Sequence, residues 1–577
     1  MTRDNAACIV LVSNSRYCFM NKLFRTISLI AAAVLFCCSF SACNIIGNTG
    51  DPDKDLDPIE KEDWEALGYT KLTIDGGGQD LGYNTTASMI YDKYTNPHPY
   101  NTLERLVEDW NKANAAKFGY YFTVASSSIN NDRETMLPML NAGTAPELIF
   151  YLPVTIAEDQ NKGWFYNLAD VMETPNKYSK EGEAGSVRWR DMYSDDVYAS
   201  LFAPNGQLFN VGMELDPIGI IYNKTLFAQA GITQEPETYK EFMEAQDKLH
   251  AYAQENDRAD ADRDDTYLCP FFSFYPWYDS YIETSLFSDI MEDLDVVKQD
   301  NYVKSEEFVR GFMTKKGDGT RIYAPDSDRM YEVYRLIYQT CKYYPTSWTS
   351  YNAIEQFAAG NLAMCEASGA NMRKILDTVD GKFEVGVFSF PVVETQPADQ
   401  PKSDYYTTYN VNNYFVRRGL RGDSTSWAIT NSAMNKDAAA GNDNCVNACI
   451  DMLMYLTSAE INDQMVNDLG FAVPLSGNGA YEFFTPLIED YKSDLSNEKA
   501  LAWAAVTAGS SMNKDYYDAW YLFRRSIVST YVTGDGDIAN MRNMLKTLEE
   551  AFVTNAQILY DANGWANSDW PPYAGES

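Results

Sequence analysis

Strand-like and helix-like patterns alternate along a chain too long for one hydrophobic core, so the sequence predicts an α/β protein of two or more lobes. Length is the first reason: of 577 residues, more than 500 follow the N-terminal leader described below, beyond the size at which a single core stops growing. Periodicity is the second. Period-two runs at Tyr69-Thr70-Lys71-Leu72-Thr73-Ile74, Tyr120 to Ala125 and Leu148 to Leu152 are separated by helical spacing at Leu103, Leu106, Val107 and Trp110 and again from Arg133 to Leu140. Strands alternating with helices predict an open, largely parallel sheet. Third, 45% hydrophobic and 14% aromatic residues suffice to fill such cores.

The N-terminus reads as an export signal. Asn21-Lys22-Leu23-Phe24-Arg25 carries positive charge into the apolar run Ile27 to Phe36, which is shorter than the ~20 residues of a membrane-spanning helix. The segment before Met20 contains Asp4 and a second apolar patch and fits no export signal, which points to Met20 as the start. Phe40-Ser41-Ala42-Cys43 resembles a lipobox, so residues 1–42 are expected to be a lipoprotein signal peptide, with Cys43 diacylated as the mature N-terminus. Asn48 to Glu65, rich in Gly, Asp, Pro and Lys, reads as solvated; residues 43–67 are expected to be a flexible tether.

Along the folded part, Asn101 with Glu104 three residues on predicts a capped helix start, as does Thr238 with Glu241 before Phe242, Ala245, Leu249 and Tyr252. Gly143 and Pro146 punctuate a helix-to-strand loop that brings Tyr151 to the carboxyl end of a strand, where open sheets bind ligands.

A formal net charge of −36 excludes nucleic acid and anionic lipid surfaces as partners and favours a neutral ligand. Past Cys43 only Cys269, Cys341, Cys365, Cys445 and Cys449 occur, an odd number without a disulfide framework; Cys445 and Cys449, four apart, belong on the buried face of a helix. Two histidines, His98 and His250, leave no basis for a His-based zinc site or a Ser-His-Asp triad.

Three segments resemble the family of extracellular solute-binding proteins of bacterial carbohydrate importers. The first is Leu140-Asn141-Ala142-Gly143-Thr144-Ala145-Pro146-Glu147, similar to a small-Gly-x-x-Pro-Asp turn with Glu147 in place of Asp. The second and most specific runs from Met213-Glu214-Leu215-Asp216-Pro217-Ile218-Gly219-Ile220-Ile221-Tyr222-Asn223-Lys224 through Ala230-Gly231-Ile232 to Phe242. The third gathers Phe357-Ala358-Ala359-Gly360-Asn361-Leu362-Ala363-Met364, Val385 to Pro391, Ser426 to Ile429, Gly470 to Pro474 and Asp518-Ala519-Trp520-Tyr521. Together they span nearly all of Leu72 to Gln557, with insertions between Ala251 and Tyr351 and around Tyr405 to Gly422.

The resemblance implies a two-lobed, periplasmic-binding-protein-like (Venus flytrap) α/β fold, hinged between lobes that close on ligand. The expected lobes are 68–168 with 347–396 and 169–346 with 397–577, crossing near Asn167 to Val171, Ser347 to Ala353 and Val392 to Pro401. It also implies a binding protein rather than an enzyme: a monomeric lipoprotein on the extracellular face of the cytoplasmic membrane that passes an oligosaccharide to two transmembrane permease subunits of an ABC importer. Sugars present apolar C–H faces ringed by hydroxyls, so aromatic platforms and a few carboxylates should hold them. By motif position the candidates are Tyr151, Asp170, Asp216, Tyr275, Trp277, Trp520 and Tyr521. Each has a structural counterpart reading, as core aromatic or as turn cap. Where the maltodextrin-binding member carries an aromatic after Ala363-Met364, this chain has Ser368-Gly369-Ala370-Asn371, which argues against a linear glucan.

No cofactor is expected. Asp260, Asp262 and Asp264 alternate in an acidic loop that could offer oxygens to calcium, but Asp265 stands where the turn glycine belongs, and a solvated loop is the stronger reading. Peptide or polyamine ligands would fit the same architecture. A surface glycoside hydrolase would need a carboxylate pair about 5 to 10 Å apart, which the resemblance does not place.

Overall fold

The computed structural model describes residues between 56 and 572 apart from 78–90, 126–132, 151–158, 274–276, 298–304, 412–420, 470–472, 475–481, 488–523, 530–537 and shorter gaps. Cys43 and the leader lie outside the described residues, among which no helix is long and apolar enough to cross a membrane.

Strands β1 (Thr70–Asp75), β2 (Tyr120–Ala125), β3 (Leu148–Phe150) and β4 (Asn210–Gly212) build the first sheet. β5 (Glu214–Asn223), β6 (Cys269–Ser273), β7 (Leu362–Ser368), β8 (Val385–Phe388) and β9 (Arg421–Gly422) belong to the second. The chain then returns to the first sheet with β10 (Ser426–Ile429) and again to the second with β11 (Val473–Pro474). The first sheet has the order β2-β1-β3-β10-β4, and β5 is the spine of the second. Both sheets are mixed rather than largely parallel. β1 is parallel to β2 and β3, and β6 to β7, whereas β10 runs antiparallel to both neighbours and β5 to β7, β8, β9 and β11. The antiparallel strands are those by which the chain returns from the other lobe, a reversal that strand-helix alternation does not encode.

Alternation along the first sheet sets its two faces. Leu148, Phe150, Trp427 and Ile429 enter one core with Trp110 and Trp189, while Ile149 and Ala428 enter a smaller one on the opposite face. Among the described residues the second lobe has a single larger core, which takes in apolar residues of the insertion between Ala251 and Tyr351. Its helix Ser305–Met313 and Tyr323 pack against the C-terminal helix Ile538–Asn563 through Phe308, Phe312 and Phe552, and the helices Trp277–Phe287 and Asp328–Thr340 share the same core.

The cores divide the chain differently from expectation. Leu168 is buried with Leu72, and the Tyr166 amide donates to the carbonyl of Ile429, so Asn167 to Val171 stays inside the first lobe. Ala353 and Val393 are buried in the second core, so Ser347 to Ala353 and Val392 to Pro401 do not cross either. The chain passes between sheets at Met213, between β9 and β10, and ahead of β11. These passages lie side by side: Asp216 pairs with Gly422, Pro217 with Arg421, Leu215 with Val473 and Glu214 with Pro474. The lobes therefore comprise about 61–212 with 426–469 and about 214–422 with 473–570. A crossing strand looks like any other strand in sequence, because its distinction is only which sheet receives its ends.

The expected tether also ends early. Trp64 is buried against Ala115 and Tyr121, its indole N–H donating to both carboxylate oxygens of Glu108 at 3.2 and 3.0 Å, so residues 61–68 are part of the first lobe. Nearby, Asn101 precedes the Thr102–Phe118 helix but makes no side-chain cap, its φ of −140° and ψ of 20° being unlike a capping conformation; Glu104 pairs with Lys61 instead. The second capping box forms fully, Thr238 accepting from the Glu241 amide and Glu241 from the Thr238 amide. Cys445 and Cys449 are buried and unbridged on the Asn444–Leu456 helix.

Candidate functional site

Ligands of open α/β sheets bind beyond the carboxyl ends of parallel strands. Here those ends are Asp75, Ala125 and Phe150 in the first lobe and Ser273 and Ser368 in the second, with the paired crossing strands joining the two lobes. Several motif residues serve this frame rather than a ligand. Glu147 is buried and accepts from the Thr73 amide at 2.8 Å, the Ser432 hydroxyl at 2.7 Å and Lys436 at 2.8 Å, tying β1 to the Asn431–Ala440 helix. Gly219 is required by close approach: a Cβ there would stand 2.9 Å from the carbonyl oxygen of Phe388 and 2.7 Å from Leu487.

Of the candidate ligand residues, Tyr151, Tyr275, Trp520 and Tyr521 lie outside the described residues. Tyr151 directly follows β3, and Tyr275 falls between β6 and the helix that Trp277 opens. Trp277 is half-buried, packed on one side against the second core, and its amide is held at 2.9 Å by Glu366 of β7. Asp216 sits on the crossing strand β5 opposite Gly422, a hinge position. Asp170 is exposed on the single turn Ala169–Met172, wholly within the first lobe. Asp260 and Asp262 are exposed, Asp260 accepting from the Asp262 amide at 3.1 Å; Asp264 is outside the described residues. Among the described residues no cluster of three or more metal-type ligands occurs. The structure thus sets Trp277 shortly after the end of β6, Asp216 on the crossing strand and Asp170 on an exposed turn of the first lobe.

Sequence reasoning overlooked Asp75 and a buried charged group under Trp277. Asp75 ends β1 almost fully buried, one oxygen accepting from the Gly77 amide at 3.1 Å while its carbonyl takes the Trp427 indole N–H at 2.7 Å. The triple glycine after it was the available signal. Beneath Trp277, Asp279 and Arg524 form a buried ion pair beside Glu366, which is 0% exposed. Burial, with the charge of Asp279 added, pushes the Glu366 carboxyl up to about 8, against the opposing pull of Arg524 and hydrogen bonds from Ser273 and the Tyr278 amide. Glu283, one turn on from Asp279, is likewise held at about 8 by burial and by Asp279, although Tyr323 donates to it at 2.7 Å.

An open cavity of about 550 Å³ lies elsewhere, between the Asn431–Ala440 and Asn444–Leu456 helices and Tyr166. Its buried acid, Asp437, is already engaged, accepting from the amides of Cys445 and Val446 at 2.7 and 2.8 Å, which makes it a helix-capping feature.

A family model described as bacterial extracellular solute-binding protein matches residues 105–476. No curated protein is significantly similar to the chain. Among solved structures, a chitin oligosaccharide binding protein shares 17% identity at a TM-score of 0.51 over 86% of this chain and all of its own. The binding protein MsmE of Bacillus subtilis, in an open conformation, gives 13% and 0.51 over 86% and 100%. The solute-binding protein RafE in complex with raffinose gives 17% and 0.50 over 84% and 100%. At such identities the likeness is one of fold.

Proposed function

Because the chain belongs to the family of bacterial extracellular solute-binding proteins, we propose that it is a sugar receptor that captures an oligosaccharide outside the cell and delivers it, chemically unchanged, to the paired permease subunits of an ATP-driven importer. The observation that carries this reading is the hinge: three crossing segments paired side by side join two independently packed lobes, and the carboxyl ends of the parallel strands in each lobe flank the junction. Such a joint lets the lobes move as bodies, with ligand favouring closure to the extent that it binds the closed form better. Trp277 at the start of its helix supplies one aromatic face, and Tyr151, Tyr275, Trp520 and Tyr521 are proposed as its companions. Diacylation of Cys43 holds the monomeric protein at the outer face of the cytoplasmic membrane, two acyl chains anchoring where one would not. The nature of several structural relatives, binders of raffinose and of chitin oligosaccharides, favours a neutral glycan.

A calorimetric screen against raffinose, triacetylchitotriose and xylotriose, with chromatography of the recovered sugar, tests the reading. Stoichiometric binding, intact sugar and a smaller radius of gyration in the complex are expected. Turnover would refute the receptor role, and binding of peptides or polyamines alone would refute the sugar.

A further inference from the structure

The first turn of a helix leaves amides without intrahelical acceptors. At the Trp277–Phe287 helix those amides are enclosed, for all residues from Tyr278 to Phe287 are buried. A side chain from another element does so instead. Glu366 stands on β7 in register with Ser273 of β6 and Ile220 of β5, at the middle of the second sheet, and reaches the helix start. Its Oε1 accepts from the Trp277 amide at 2.9 Å, and the Tyr278 amide and Ser273 side chain bond to the same carboxyl. Ser273 is itself fixed, its amide donating to the Tyr344 hydroxyl at 3.1 Å, and the Tyr278 hydroxyl donates to the Pro391 carbonyl at 3.2 Å. The residue so held, Trp277, is the one in this group left half open.

Resting on the sugar-receptor reading, we propose that Glu366 is a positioning residue for ligand capture: by capping the helix that Trp277 opens, it fixes where the indole face stands at the end of β6. A carboxyl suits this task because its oxygen accepts from the amides whether or not it is ionised, whereas an apolar residue would leave two amides unpaired. The device is also sensitive to pH. The groups facing Glu366 are Tyr278 and Asp279 on the helix, Arg524, Cys341 and Tyr344, and Cys365 beside it on β7. Because burial and Asp279 outweigh Arg524, the carboxyl changes charge near pH 8. Its hold on the amides strengthens as it ionises.

The experiment uses the mature chain labelled with 5-fluorotryptophan, the Trp277 resonance being assigned through Trp277→Phe. In the parent protein that resonance should move between pH 6 and pH 9.5 with a midpoint near 8; in Glu366→Gln, which keeps an acceptor but no charge, it should stay near its position and not titrate. Glu366→Leu should displace it at all pH values. Affinity for raffinose, triacetylchitotriose and xylotriose should fall about ten-fold in Glu366→Leu for whichever sugar binds, about 1.4 kcal/mol, and less than about three-fold in Glu366→Gln. Adding Glu366→Leu to Trp277→Ala should cause no further loss, since Glu366 acts through Trp277. A Trp277 resonance that neither titrates nor shifts in a folded Glu366→Leu protein, or an equal loss of affinity in the Trp277→Ala background, overturns the proposal. If none of the three sugars binds, the receptor reading for these glycans fails while the resonance still decides the positioning role.

Discussion

The two lobes bury acids in different ways. In the first lobe Glu108, Glu147, Asp437 and Asp451 are buried where strand and helix-start amides, indole N–H groups and lysines supply donors. Asp451 alone accepts from the Trp110 indole at 3.0 Å, the Tyr178 hydroxyl at 2.5 Å and two lysines, Lys117 and Lys177. In the second lobe Asp279 and Glu283 lie on the buried Trp277–Phe287 helix and Glu366 on the adjoining strand β7, where most amides are already spent on helix and sheet carbonyls. A helix start, the hydroxyls of Ser273 and Tyr323 and one arginine serve them. The lesson is that burial depth matters less than which backbone surrounds the acid. An acid beside open amides, ring N–H groups or lysines finds donors, and one enclosed where the amides are spent must bring a partner or keep its proton.

Breaking that contrast should cost most at Arg524. Arg524→Leu leaves Asp279 buried without its cation and should destabilise the second lobe by about 3 to 5 kcal/mol, while the first lobe's unfolding is unchanged. Differential scanning calorimetry of the intact chain reads both lobes, and Arg524→Leu with Asp279→Leu should recover most of the loss; if the double variant is no better than the single, the pair is not the cause.

The next effect is one of pH. Glu283 and Glu366 hold folded values of about 8 against an ordinary 4.5, so the folded lobe binds extra protons between these limits. The stability they lend is fully present below about pH 4.5 and is lost as pH rises through 8. Between pH 5.5 and 9 the second lobe's transition should therefore drop by about 5 to 10 °C relative to the first lobe's. Glu283→Gln should flatten that difference by roughly half, and an unchanged slope would remove Glu283 from the account.

A smaller loss is expected in the first lobe from Asp451→Ala. Four donors lose an acceptor, but two are lysines that can turn to water, so about 1 to 3 kcal/mol should go, confined to the first transition. Parity with Arg524→Leu would erase the distinction between lobes. The smallest change, Thr238→Ala, removes half of the capping box on an exposed helix start and should cost about 1 kcal/mol in chemical denaturation, independent of pH.

Much was legible because it is local. The strand Tyr120 to Ala125, the Thr238 box, the helix stop at Gly231 and the buried pair Cys445 and Cys449 follow from spacing and turn chemistry within a few residues. The candidate site was legible only in part. Trp277 could be named from an aromatic run in a recognised position, whereas Glu366 and Arg524 carry no local mark. Glu366 lies 89 residues beyond Trp277 and Arg524 lies 245 beyond Asp279, and they become one group only when β7 is set beside β6 and Arg524 reaches Asp279.

By itself, then, the sequence determined the α/β elements, the presence of two lobes, the apolar N-terminal pattern and the net charge of −36. Tertiary structure alone decided that the chain crosses at Met213 and before β10 and β11 rather than near Asn167, Ser347 or Val392, that Trp64 belongs to a lobe and not to a tether, and which acid meets which donor. The reason is range. Periodicity and capping are set by neighbours three or four residues apart, whereas sheet membership and the pairing of buried charge are set by whatever the folded chain brings across the core.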